Sequence, residues 1–207
     1  MSSTPLLKTV SRQPNLQDPG LLAAASYIDG QWMEREEAGR LAVLNPADGE
    51  TVAEVAALDD AGARHAVDAA DKAFPGWAAL LPQQRSDILR RWFELMREHK
   101  EDLALIMTLE QGKPLSEARG EIDYGASFAE YFAEEAKRPD IMSVTSHLPN
   151  AEVELWREPL GVAALVTPWN FPNAMLTRKA AAALAVGCTV VAHPSKETPL
   201  SALALRQ

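Results

Sequence analysis

The chain has 207 residues, 47% of them hydrophobic and 24% charged, the balance of an ordinary soluble globular protein that can bury a sizeable core. Its 20 Lys and Arg stand against 29 Asp and Glu, a formal net charge of −9, and without any Lys/Arg cluster this argues against a nucleic-acid partner. The longest apolar runs are too short and too Ala-rich to span a bilayer, and a single Cys excludes an internal disulfide and fits a reducing, cytoplasmic setting.

The opening residues carry Lys8 and Arg12 but no apolar stretch between them and a cleavage site, so no secretory signal is expected. The polar composition and Pro5, Pro14 and Pro19 predict a mobile arm over residues 1–25. Tyr27 to Trp32 then places the turn pair Asp29-Gly30 between β-favouring residues, a hairpin signal. Leu41 to Leu44 and Thr51 to Val55 read as short strands joined by the turn cluster NPADGE, an antiparallel ribbon at a domain edge.

Four helices are expected next. Ala63, Val67, Ala70 and Phe74 fall on one face of the first, which Pro75-Gly76 should end. After Pro82, Ile88, Trp92, Leu95 and Met96 form a stripe opposite Arg90, Arg91, Glu94 and Arg97, the pattern of core packing. Leu103, Ile106 and Met107 carry a third helix to Gly112, and Pro114 opens a long fourth one through Ala118, Ile122, Ala129 and Phe132. The acidic residues of this last helix, Glu117, Glu121, Glu130, Glu134 and Glu135, read as a solvated face. Arg138 to Pro149 reads as a loop, and Ala151 to Arg157 as a two-faced strand of the kind that pairs antiparallel.

The stretch from Gly161 to Leu200 reads as strand, loop, helix, strand, loop and the next helix. Pro168 and Pro172 keep Thr167 to Pro172 out of regular structure, Asn173 is placed to cap a helix, and Gly187 to stop it. Two short apolar runs, Gly161 to Val166 and Cys188 to Ala192, joined by one crossover helix make a βαβ unit with parallel strands, hence an α/β fold. Open parallel sheets bind ligands beyond the carboxyl ends of their strands, which points the TPWN and HPSK loops at one crevice. Neither GxGxxG nor GxxxxGK[ST] occurs. His65, His99, His147 and His193 have no metal-ligand spacing with one another or with Cys188, so no metal is expected. Cys188 sits within an apolar strand without an adjacent base and reads as a small buried hydrophobe.

TPWNFPNAMLTRK followed by AAALAVGCTVVAHPSKETPLSALAL resembles the aldehyde dehydrogenase family, and within it stands nearest to the succinate-semialdehyde dehydrogenases. MTLEQGKPLSEARGEIDYGASFAEYFAEEAKR resembles the same enzymes. The resemblance implies the N-terminal part of an aldehyde dehydrogenase-type, Rossmann-like parallel sheet domain. Residues 26–207 would form an incomplete cofactor-binding domain with an oligomerisation strand near 151–157, and the catalytic domain would be absent from this chain. It implies oxidation of an aldehyde, most closely succinate semialdehyde, or else glutarate semialdehyde or another aldehyde, with NADP or NAD, in a cytoplasmic homo-oligomer.

By the same resemblance, Asn170 is the oxyanion donor, and Thr167, Pro168, Trp169 and Asn170 lie along the dinucleotide. His193, Ser195 and Lys196 form the adenosine-ribose loop, and Arg178 holds a substrate carboxylate. The sequence departs from the family where His193 replaces a usual Lys and where Lys196 replaces an acidic residue common in NAD-preferring members. Lys cannot accept a hydrogen bond from ribose hydroxyls and suits a 2′-phosphate, so NADP is expected to be accepted at least as well as NAD. The family's nucleophilic Cys and catalytic Glu would lie beyond Gln207, so this chain alone is expected to be inactive. A second reading, a catalytically silent binding or assembly module, stays open. A generic nucleotide-binding α/β protein would leave the PWNFP and TRK matches as coincidence.

Overall fold

The computed structural model describes residues 14–33, 38–138 and 141–206. Strands β1 (Ser26–Ile28) and β2 (Gln31–Met33) form a hairpin. Asp29 and Gly30 turn it at φ 49° and 75°, the left-handed pair whose twist matches that of the strands. β3 (Arg40–Leu44) and β4 (Thr51–Ala56) pair antiparallel, and β4 buries Val52 and Val55. The expected arm is partly packed: Leu16, Leu21 and Leu22 enter the main core, and the Asp102 carboxylate accepts from the Gln17 and Asp18 N–H groups at 2.9 and 2.8 Å. Residues 1–13 of that arm lie outside the described residues.

Helix α1 (Asp60–Ala78) starts on Asp59, whose carboxylate accepts from the N–H groups of Ala61 and Gly62. Contrary to expectation it runs through Pro75. A proline removes one rung of the ladder, and the last turn is held from outside. The Arg85 guanidinium donates to the Ala78 carbonyl, and the Trp77 indole donates to the Leu184 carbonyl at 3.1 Å. The expected face is rotated only in the first half of the helix: Ala63 and Val67 are exposed and Ala66 is half-buried, while Ala70 and Phe74 of that face are half-buried as expected. The contact that sets this rotation is β8, whose Thr189 hydroxyl donates to the Ala70 carbonyl at 2.9 Å.

Helices α2 (Pro82–Glu98), α3 (Lys100–Gln111) and α4 (Leu115–Glu135) form the helical layer. On α2 the buried residues are Ser86, Leu89 and Met96, and Ile88 is exposed. Trp92, Leu95 and Met96 of the expected stripe are half-buried or buried, and only at its start does Leu89 replace Ile88, packed against Ala133 of α4. Helix α4 packs between α2 and α5. It can do so because Ala118, Ala126, Ala129 and Ala133 are fully buried small residues that let backbones approach closely. The expected loop after Arg138 contains a strand, β5 (Ile141–Val144), which pairs antiparallel with β6 (Val153–Trp156). Four residues are too few for period-2 alternation to stand out.

The βαβ unit forms as predicted. β7 (Val162–Val166), α5 (Ala174–Ala185) and β8 (Thr189–His193) follow in order, with β7 and β8 parallel and Val166 level with His193. Gly187, at φ 99°, turns the chain from α5 into β8. The last helix is α6 (Pro199–Ala204). Among the described residues no helix is long and apolar enough to cross a membrane, and no cluster of His, Cys, Asp and Glu could hold a metal ion.

Candidate active-site loops at the carboxyl ends of β7 and β8

Because β7 and β8 end level with each other, the two loops leave the sheet side by side. The Thr167 N–H donates to the His193 carbonyl at 3.2 Å and carries the pairing one residue past the strands. Thr167 is buried, while Pro168, Trp169, Asn170 and Phe171 are exposed. The Lys179 ammonium, one turn into α5, donates to the Val166 carbonyl at 2.9 Å and fixes the loop's first end.

The loop's second end is held by a buried carboxylate. Glu121 on α4 accepts from the Asn173 and Ala174 N–H groups at 3.0 and 3.3 Å and pairs with the Lys113 ammonium. An anion at a helix N-terminus satisfies free donors and suits the dipole. So Glu121, expected on a solvated face, is 4% exposed and caps α5. Asn173, expected to cap this helix, stands at the cap position without a side-chain cap bond. Its carboxamide is buried and its Nδ2 and Oδ1 have no partner. The spacing held the signal: Glu121 lies three residues after Ala118 and four before Gly125, on the apolar stripe of α4.

The second loop has the same construction. Glu110, near the end of α3, accepts from the Leu200 and Ser201 N–H groups at 2.8 and 2.7 Å and so caps α6. Burial pushes its pKa up to about 7, against the opposing pull of those donors. His193 and Lys196 are exposed and Ser195 is half-buried. The Ser195 hydroxyl donates to the Glu197 carboxylate and holds it below the usual carboxylate range. The Lys196 ammonium lies 3.8 Å from the same carboxylate. Glu197 was missed in the sequence, although it is the one acceptor carboxylate in this loop and directly follows Lys196.

Arg178 is exposed on α5, in its second turn, with no carboxylate partner among the described residues. Cys188 is buried, as its apolar setting predicts. The structure thus brings together Thr167, Pro168, Trp169, Asn170, His193, Ser195 and Lys196 on two adjacent loops, with Arg178 on the helix that the first loop starts.

The architecture is that of an α/β protein with a parallel βαβ unit whose loops converge at the strand ends, covered by a layer of helices. The aldehyde dehydrogenase family profile matches residues 32–207, and the chain belongs to that family. It is 52% identical to a glutarate-semialdehyde dehydrogenase of Pseudomonas putida over 190 residues, covering 92% of this chain and 40% of that protein. It is 48% identical to an NADP(+) succinate-semialdehyde dehydrogenase of Escherichia coli over 192 residues, with 93% and 40% covered. The crystal structure of an aldehyde dehydrogenase from Brucella melitensis superposes with a TM-score of 0.92 at 48% identity, over 94% of this chain and 40% of that one. The chain therefore spans about 40% of the length of these relatives.

Proposed function

We propose that the complete polypeptide, of which this chain is the N-terminal portion, oxidises an aldehyde bearing a distal carboxylate, succinate or glutarate semialdehyde, to the dicarboxylic acid. The observation that carries this reading is the loop pair. Asn170 and Trp169 on one loop and His193 and Lys196 on the other are exposed at level strand ends, while Lys179, Glu121 and Glu110 pin the flanking backbones. The similarity to a glutarate- and a succinate-semialdehyde dehydrogenase supports the substrate class.

In the reaction the aldehyde carbon loses a hydride and takes an oxygen from water. Negative charge builds on the aldehyde oxygen, and the Asn170 carboxamide is the donor for it. A donor aimed at such an oxygen is worth about 3–4 kcal/mol. Arg178 holds the far carboxylate through its two-pronged guanidinium. The polar groups of the second loop fit a nicotinamide dinucleotide: the Ser195 hydroxyl and the acceptor carboxylate of Glu197 suit ribose hydroxyls, and the exposed Lys196 suits a 2′-phosphate. That group, when bound, supplies the hydride acceptor. Trp169 offers it an exposed indole face. The exposed apolar residues of the β5–β6 hairpin, Met142, Leu155 and Trp156, support assembly into a homo-oligomer.

The test is kcat/KM of the complete polypeptide for succinate semialdehyde against butanal, followed by cofactor reduction. Arg178→Ala should cut the preference for the carboxylated aldehyde about 100-fold, the loss of a charge-assisted pair of roughly 3 kcal/mol. An Arg178→Ala enzyme with its preference intact would end the carboxylate assignment. Asn170→Ala should lower kcat by about 10²–10³.

A further inference from the structure

We infer that Lys113 and Glu121, both outside the two loops, are positioning residues that set where the Asn170 carboxamide points. The inference rests on the oxyanion role of Asn170 proposed above.

Gly112 ends α3 in the left-handed region, at φ 80°. Its α-carbon faces the turn between β3 and β4, where a Cβ would come within 2.7 Å of the Pro46 Cγ. This turn aims Lys113 away from solvent, and its side chain is only 10% exposed. The ammonium then has three neighbours. It pairs with the Glu121 carboxylate, donates to the Asn170 carbonyl at 3.2 Å, and lies 4.1 Å from the centre of the Phe171 ring. An ammonium has three donors, so two partners and one aromatic face occupy it fully.

Glu121 divides its two oxygens in the same way. Oε2 meets Lys113, and Oε1 accepts from the Asn173 and Ala174 N–H groups. The pair therefore grips the backbone on both sides of Phe171-Pro172: at the Asn170 carbonyl before it and at the Asn173 N–H after it. Asn170 keeps its side chain exposed while its own carbonyl is bonded. With that carbonyl bonded, the Asn170–Phe171 peptide is restrained, and the side chain moves mainly through its own torsions. A displacement of about 1 Å in a group that must meet a reacting atom can cost 10²-fold in rate. The ion pair itself is buried, and a buried pair is weak evidence for stability. Its contribution here is to fix a loop geometry.

The experiment uses the complete polypeptide, with kcat and KM for succinate semialdehyde measured separately and cofactor binding measured by fluorescence titration. Lys113→Met should lower kcat at least about tenfold and leave KM and cofactor affinity within about twofold. Because Lys113→Met leaves Glu121 buried without its partner, the double variant Lys113→Met/Glu121→Gln removes both charges at once and is measured beside it. The decisive comparison is with Asn170→Ala. Adding Lys113→Met/Glu121→Gln to Asn170→Ala should lower kcat by no more than about twofold further, because positioning acts only through the group positioned.

If the loss repeats in full on the Asn170→Ala background, the pair acts elsewhere and the inference is overturned. It is overturned equally if Lys113→Met/Glu121→Gln keeps its kcat while Asn170→Ala loses activity. An Asn170→Ala enzyme of undiminished activity removes the proposed oxyanion role itself, a failure distinguishable from the other two.

Discussion

Gly125 gives the sharpest quantitative test of the packing behind the loop. It lies on α4 against the start of α5. A Cβ there would come within 2.0 Å of the Asn173 Oδ1 and 3.1 Å of the Thr177 Oγ1. Those side chains are 1% and 0% exposed, so neither can swing into solvent. Five residues earlier on the same helix, Gly120 is exposed and a Cβ would meet nothing within 4 Å. Replacing either glycine by alanine gains about 1 kcal/mol of helix propensity. At Gly120 that gain stands alone, so Gly120→Ala should stabilise the protein by about 1 kcal/mol. At Gly125 overpacking of about 1–3 kcal/mol opposes it. The propensity gain is common to both, so the difference between the two variants isolates the contact.

Urea unfolding of the complete polypeptide, followed by tryptophan fluorescence, reads this difference directly. Gly125→Ala/Asn173→Ala should recover the stability of Gly120→Ala, since it removes both the collision and a buried carboxamide without partners. A Gly125→Ala protein as stable as Gly120→Ala would show that α4 and α5 are not in the close contact described.

Two further outcomes follow from the second loop. Burial raises the Glu110 pKa from 4.5 to about 7 in the folded protein, so the native state holds a proton that the unfolded chain releases between those values. Its contribution, about 3 kcal/mol, is fully present below pH 4.5 and lost as pH rises through about 7; Glu110→Gln should flatten that slope in unfolding midpoints measured across this window. Lys196→Glu should shift the ratio of kcat/KM for NADP over NAD at least about tenfold toward NAD, the loss of one exposed phosphate contact; an unchanged ratio would mean that Lys196 faces solvent in the bound complex.

The sequence showed the βαβ unit clearly, because its signals are local. Two apolar runs, a Pro-rich loop and a glycine stop need no knowledge of the rest of the chain. The turns at Asp29-Gly30 and Gly112 were legible for the same reason. Rotations of helix faces were not. Ala63 and Val67 fit an apolar stripe with Ala70 as well as Ala66 does, and only the strand lying against α1 decides between them. Pro75-Gly76 reads as a stop because both residues disfavour a helix interior, whereas bonds from Arg85 and Trp77 hold the turn around them. The candidate site divided in the same manner. The two loops are placed by local signals, while the residues gripping them from behind, Lys113, Glu121 and Glu110, lie far from them in sequence. Glu121 was read by its charge as a surface residue, when its spacing from Ala118 and Gly125 put it inside.

The carboxylate caps have a consequence for the order in which the chain folds. Helices α5 and α6 carry no side-chain cap of their own. The groups that complete their first turns come from Glu121 and Glu110, separated from those turns by 52 and 90 residues in sequence. A helix as short as these is marginal in isolation, and its first turn is the costly step. So α5 and α6 should gain lasting helicity only after the α3–α4 hairpin has formed and its carboxylates are in place. Two elements that would not persist alone are tied into one late event. The loops at the strand ends are then the last part of the chain to take shape, and they take it from a scaffold already assembled.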